Sequence, residues 1–309
     1  VDYCGGSGLH ADPIPDTWVK MRDILCYWAA RGVDGFRCDM TELVPPAFWA
    51  WAIPSVREQY PETLFLAEIY QPHRYGEYLH AGFDYLYDKV GVYDFLIALG
   101  KGTRDAADFT GVRDAVGGEQ QAMCYFTENH DEQRIASGFF AGNAWKGVPG
   151  MIVSALLQQN PVMVYAGQEF GERGMDHEGF SGIDGRTTIF DYWSLSTVRR
   201  AFTDCNLLTD EERKLSDSYR TLLNIAHREA AVREGEFFDL TYANQAQEGF
   251  DSCREYAFLR KKGDIIILVV ANFSSSDRLS DVIIPAHAFD FWQMPEMKVL
   301  SRELFSGRY

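Results

Sequence analysis

Five short apolar runs, at residues 33–38, 63–67, 83–87, 122–126 and 162–166, recur along the first 166 residues of this chain of 309, and a polar side chain stands at or just beyond the end of each. Helix-type periodicity occupies much of the sequence around them. It covers residues 16–31, where Trp18, Met21, Ile24, Leu25 and Trp28 recur at helical spacing behind Asp16 as an N-cap, the segment opened by Pro45-Pro46, and residues 92–99, 110–116 and 150–158. Short strands apolar on both faces and alternating with helices are the sequence form of a parallel sheet. A doubly wound sheet and a (β/α) barrel both fit that alternation.

The polar residues separate the two. Asp39, Glu68, Asp131 and Glu169 follow the ends of four different runs. A barrel gathers side chains so placed around one mouth, whereas an open sheet strings them along a line. No GxGxxG or GxxxxGK[ST] loop follows any run, which argues against nucleotide binding. The pattern predicts an α/β fold, a (β/α)8 TIM-type barrel of which five strands can be counted. After a loop-like stretch at 171–206 and a helix at 217–233, the character changes: residues 237–242, 255–260 and 264–272 read as strands joined by turns. The predicted division is a partial barrel over 1–234 and an antiparallel β-sandwich domain over 235–309.

A net charge of −16 argues against nucleic acid and anionic membranes as partners and favours a neutral ligand. The sequence has no run of eighteen or so apolar residues and no signal-peptide pattern at Val1-Asp2-Tyr3-Cys4-Gly5, so a cytoplasmic location is expected. Six dispersed cysteines without CxxC pairs fit a reducing compartment better than a disulfide framework or a zinc site. No metal and no cofactor is expected.

Arg37 and Asp39 are two apart, so on a strand both leave the same face, where the guanidinium can orient the carboxylate. Acidic groups on several strand ends of one barrel suit cleavage of an acetal between sugars, which needs one carboxylate to attack the anomeric carbon and one acid to protonate the leaving oxygen. Asp39 suits the nucleophile, and Glu68 an acid that later serves as base. Asp131 follows His130, whose imidazole can donate to a sugar hydroxyl. Glu169, after Gly167-Gln168, reads better as a brace for the loop after the last strand.

Gly35-Phe36-Arg37-Cys38-Asp39 resembles the nucleophile motif of glycoside hydrolase family 13, the α-amylase family. Phe65-Leu66-Ala67-Glu68 is similar to that family's acid/base motif, and Phe126-Thr127-Glu128-Asn129-His130-Asp131 to the motif carrying its third carboxylate. The segment from Asn160-Pro161 to Gly167-Gln168-Glu169-Phe170-Gly171 resembles the one on its last barrel strand. The four motifs stand in the family's order. The resemblance implies a retaining enzyme acting on α-glucans by double displacement, with Asp39 as nucleophile, Glu68 as general acid/base, Asp131 stabilising the distorted sugar, and Arg37 and His130 gripping the first subsite. Water as acceptor would make it a hydrolase, another sugar a transglycosylase; a non-catalytic relative used for carbohydrate binding or assembly is the third reading.

Two departures bear on this. Nothing matches the family's Asp-x-x-x-Asn-His motif, and Glu42-Leu43 stands where many α-amylases carry Lys-His. The chain is therefore expected to be the second half of the barrel plus the β domain, to lack most of the family's calcium ligands, to have little or no activity alone, and to self-associate through open sheet edges.

Overall fold

The computed structural model describes residues 13–174, 179–180, 182–191, 193, 195–293 and 301–305. Cys4, the irregular start at 1–12 and parts of the stretch expected to be loop at 171–206 lie outside the described residues. By contact density the chain divides into two compact units, one running up to Gly91 together with Asp114–Cys124, the other comprising Val92–Arg113 and the remainder from Tyr125.

The first unit opens with α1 (Asp16–Ala29), β1 (Gly35–Cys38), α2 (Pro46–Arg57), β2 (Leu64–Ala67), α3 (Tyr75–His80) and β3 (Tyr85–Tyr87). β1 pairs with β2 in parallel from Gly35↔Leu64 to Cys38↔Ala67, and β2 pairs with β3 through Leu66↔Tyr85 and Ala67↔Leu86. A Cβ at position 35 would lie 2.8 Å from the Leu64 carbonyl oxygen, so glycine is what lets these two strands approach. Aromatic contacts join helix and sheet: Trp18 on Phe48 at 5.6 Å, Phe48 on Trp49 at 4.9 Å, Trp49 on Phe83 at 5.0 Å, and Phe83 on Phe65 at 6.3 Å. Arg57 closes the underside, donating to the carbonyls of Thr63 and Gly82 and to Asp84.

A π-helical turn, Lys89–Tyr93, leads into α4 (Asp94–Gly100), α5 (Phe109–Asp114) and β4 (Met123–Phe126). β4 passes from one unit to the other. Its Met123 and Cys124 pair with Leu86 and Tyr87, and its Tyr125 and Phe126 with Val162 and Met163 of β5 (Val162–Met163), which follows α6 (Val148–Leu156). The result is the expected parallel sheet, in the order β1-β2-β3-β4-β5.

Two helices differ from expectation. The stretch read as loop contains α7 (Ser196–Thr203), where Thr197 donates through both its amide and its hydroxyl to Glu172 Oε2, at 3.0 and 2.6 Å. A cap supplied from 25 residues away leaves no local signal. The expected helix at 217–233 begins earlier, as α8 (Asp210–Arg228), and breaks before α9 (Ala230–Arg233). Thr209 and Glu212 form a reciprocal capping box at its start, a Thr-x-x-Glu signature present in the sequence.

The antiparallel part follows with β6 (Glu236–Asp239), α10 (Thr241–Asn244), β7 (Glu255–Lys262), β8 (Ile265–Asn272) and α11 (Ala286–Phe291), the strands in the order β6-β7-β8. Leu240, Phe250, Ala257, Leu259 and Trp292 form its core. The other face of β7 meets the helices, with Phe109 packed between Phe95 at 5.3 Å and Tyr256 at 4.7 Å. Arg260 of β7 is buried and has four carbonyl acceptors: Leu157 after α6, Ala231 and Val232 of α9, and Gly235. One guanidinium thus satisfies the ends of two helices. Arg260→Met leaves those carbonyls without a donor and is expected to lower unfolding free energy by about 3 kcal/mol or more, with Arg260→Lys recovering only part, as read from urea-denaturation midpoints; a loss under about 1 kcal/mol would show the carbonyls are otherwise served.

Candidate active site

In the first unit the site is built on the ends of β1 and β2. Arg37 Nη1 donates to Asp39 Oδ1 at 2.5 Å, and Arg37 Nη2 lies 2.9 Å from Glu68 Oε1. The ring of Tyr87 on β3 lies under the same guanidinium, 5.3 Å from Cζ to centroid. Burial of Arg37 works against its charge, but the Asp39 hydrogen bond and the charge of Glu68 outweigh it and hold the guanidinium above its ordinary value. The two carboxylates differ in environment: the Asp39 side chain is 73% exposed and that of Glu68 only 4%.

Backbone geometry aims Glu68. Met40, directly after Asp39, adopts a left-handed conformation with φ of 44°, rare for a residue with a side chain. Its amide donates to Glu68 Oε2 at 2.8 Å, while Tyr70 Oη donates to Oε1 at 2.8 Å. The Glu68 amide in turn bonds the Cys38 carbonyl and the Thr41 hydroxyl, each at 3.2 Å. Sequence reasoning named Arg37, Asp39 and Glu68 but not Tyr70, Tyr87 or Met40, which carry no motif of their own.

In the second unit the segment after β4 is held by a buried ion pair. Glu128 Oε2 accepts from Arg134 Nη1 at 2.9 Å and Oε1 from the Ile135 amide at 2.7 Å. Burial pushes the Glu128 carboxyl up, opposed by Arg134 and by that amide. Arg134 also donates to the Ala166 carbonyl and to Thr187 Oγ1, and stacks on Tyr165 at 4.2 Å. Between these anchors Asn129 Oδ1 accepts from the Asp131 amide at 2.9 Å, and His130 Nε2 lies 3.2 Å from Asp131 Oδ2. Gln168 donates to Thr127 Oγ1 and Tyr219 Oη, fastening the end of β5 to the end of β4. Glu169 Oε2 accepts from the Gly167 amide, a contact within its own loop.

The structure therefore brings Arg37, Asp39 and Glu68 together as one charged group, in which Arg37 hydrogen-bonds Asp39 and lies in ion-pair contact with Glu68, and places His130 beside Asp131 in another, each just past the end of a parallel strand. The Glu128–Arg134 pair was not picked out from sequence, although an acid and an arginine six apart flank the motif. Among the described residues no group of three or more His, Cys, Asp or Glu gathers as a metal site, and no helix is long and apolar enough to cross a membrane.

No family model matches the chain. A curated relative from Chlorobaculum tepidum, an α-1,4-glucan:maltose-1-phosphate maltosyltransferase, is 44% identical over 55 residues, 18% of this chain and 8% of that protein. The Myxococcus xanthus protein of the same name is 28% identical over 144 residues, 47% of this chain and 18% of the relative. Among solved structures, a maltogenic α-amylase from Thermotoga neapolitana matches with a TM-score of 0.59 at 21% identity, covering 85% of this chain and 54% of that one. An Anoxybacillus α-amylase reaches 0.64 at 19% identity, over 86% and 53%. The fold is that of the α-amylase family. The chain spans about half the length of those structures, and the matched stretches cover less than a fifth of the curated relatives.

Two outcomes follow from the site's packing. Arg134→Met strands a buried carboxylate at Glu128 and is expected to cost roughly 3–5 kcal/mol of stability, measured by denaturant titration; a loss below about 1 kcal/mol would mean the pair is not buried in solution. Burial pushes the thiols of Cys38 and Cys124 up to about 12. The native chain keeps those protons at pH values where the unfolded chain releases them, so stability is expected to fall as pH rises from about 9 towards 12. Below pH 9 both thiols are expected to resist alkylation while exposed Cys205 and Cys253 react, as mass mapping of labelled peptides would show.

Proposed function

We propose that this chain supplies the carboxylate-bearing part of an enzyme that cleaves α-glucosidic bonds with retention, passing the sugar to water or to a second glucan. The observation that carries the reading is the Arg37 bridge: one half-buried guanidinium contacts an exposed carboxylate from the end of β1 and a buried one from β2. Two carboxylates with different exposure and a shared cation suit unequal chemical roles.

Asp39, the exposed member, attacks the anomeric carbon. The bond from that carbon to the leaving oxygen breaks as Glu68 delivers its proton to that oxygen. In the second half Glu68 takes a proton from the incoming hydroxyl as that oxygen displaces Asp39, restoring the starting configuration. Arg37 and the Met40 amide keep the two side chains oriented through both halves. Asp131, held by the Asn129 turn and the His130 contact, stabilises the flattened, cationic sugar.

The names of the curated relatives favour transfer from maltose 1-phosphate over hydrolysis, and those of the structural neighbours favour hydrolysis. The acceptor is the point on which the two readings differ. Incubating the protein that carries this chain with a 5-fluoro-α-glycosyl fluoride is expected to add one glycosyl mass to the peptide containing Asp39, and Asp39→Asn to abolish it. Label on another residue, or an inverted product anomer, would overturn the reading. Elongated glucan plus phosphate from maltose 1-phosphate would identify transfer, and free maltose hydrolysis. Glu68→Gln is expected to lower turnover by ~100-fold or more.

A further inference from the structure

The second unit contains a cavity of about 560 Å3 that neither His130 nor Asp131 lines, a size within the range of small-molecule sites. Its lining has three kinds of surface. Leu96 and Ile97 of α4, with Ile135, are apolar. Phe140 and Trp145, from the stretch before α6, are aromatic. The turn after β8, residues 272–277, brings hydroxyl and amide groups.

Each part is braced independently of any ligand. The Trp145 amide donates to Asn143 Oδ1 at 3.0 Å, and its side chain is hydrogen-bonded to Glu211, yet the residue remains 36% exposed. In the turn, Asn272 accepts from the Ser274 amide at 2.9 Å and donates to the Ser276 carbonyl at 2.9 Å, to which Ser274 Oγ also donates at 2.8 Å. Among the described residues the hydroxyls of Ser275 and Ser276 have no partner within the chain.

The charge in the lining is one Lys146 and one Asp277, and Lys146 Nζ is engaged by the Ala141 carbonyl at 3.2 Å. No net charge favours an anion, and the chain as a whole carries −16. Flat apolar rings, free hydroxyls and electrical neutrality together match a ring sugar, whose C–H face stacks while its hydroxyls exchange hydrogen bonds. A lipid chain would make no use of the serine hydroxyls, and a phosphate would meet Asp277 as well as Lys146. We infer that this cavity is a second binding site for a short neutral α-glucan, additional to the strand-end carboxylates. The choice of an α-glucan over other neutral sugars rests on the proposed function; the cavity's preference for a neutral sugar does not.

The test is photo-crosslinking of the intact chain with a diazirine-bearing maltotriose, mapped by peptide mass and repeated in three variants. Label is expected in peptides covering 139–150 or 272–277. It should fall about tenfold in Trp145→Ala, through lost stacking, and in Ser275→Trp, which blocks the turn side without touching a core residue. Asp39→Asn should leave that label within twofold, and competing inorganic phosphate should not reduce it. Label confined to other peptides, or unchanged in both cavity variants, or displaced by phosphate, would overturn the inference. Glycosyl trapping at Asp39, run alongside, is expected to persist in Ser275→Trp. Loss of trapping in the wild-type protein with cavity label intact would sink the proposed function and leave the second site standing, and the reverse result would do the opposite.

Discussion

Parallel pairing is the constraint on which the rest of this structure depends. A parallel strand cannot bond to its sequence neighbour through a tight turn, so each must be returned by a crossover and then fixed in register. Here the strands are only two to four residues long, and each crossover runs through one or more helical segments. Register therefore does most of the positioning. Gly35 opposite Leu64 sets the first pair at close range, and from it Arg37, Asp39 and Glu68 emerge beyond the same edge.

Arginine supplies the second layer of order, in three different ways. Arg37 spans two carboxylates of unequal exposure at the ends of two adjacent strands. Arg134 is wholly buried with Glu128 and fixes the segment after β4 to the end of β5, with no group left over for a ligand. Arg260 has no carboxylate partner among the described residues and donates to four carbonyls. The planar, multiply donating guanidinium makes each arrangement possible, and an ammonium could not reproduce any of them.

The parts that could be read in the sequence were those with local causes. Doubly apolar runs disclosed the five parallel strands, and with them the position of Asp39, Glu68 and Asp131 just past three strand ends, because that placement depends on little beyond the strands themselves. α8 was misplaced at its start although Thr209 and Glu212 announced it, a signal outweighed by the weak apolar periodicity of its first two turns. α7 was not legible at all, since its cap comes from Glu172 and Thr197 is the one residue of its eight that is buried. In the site, Tyr87 lay beyond reach for a related reason: its contact with Arg37 exists only once β1, β2 and β3 are side by side.

Met40 gives the strand-end group a mechanical character. A left-handed residue with a side chain costs on the order of 1–2 kcal/mol and persists only where its surroundings over-determine it. Its amide is committed to Glu68, its carbonyl to Leu43, and its predecessor is Asp39. The turn and the buried carboxylate are therefore joined by a direct hydrogen bond. The backbone that follows Asp39 is thus tied directly to Glu68 on the neighbouring strand, by a residue whose side chain takes no part.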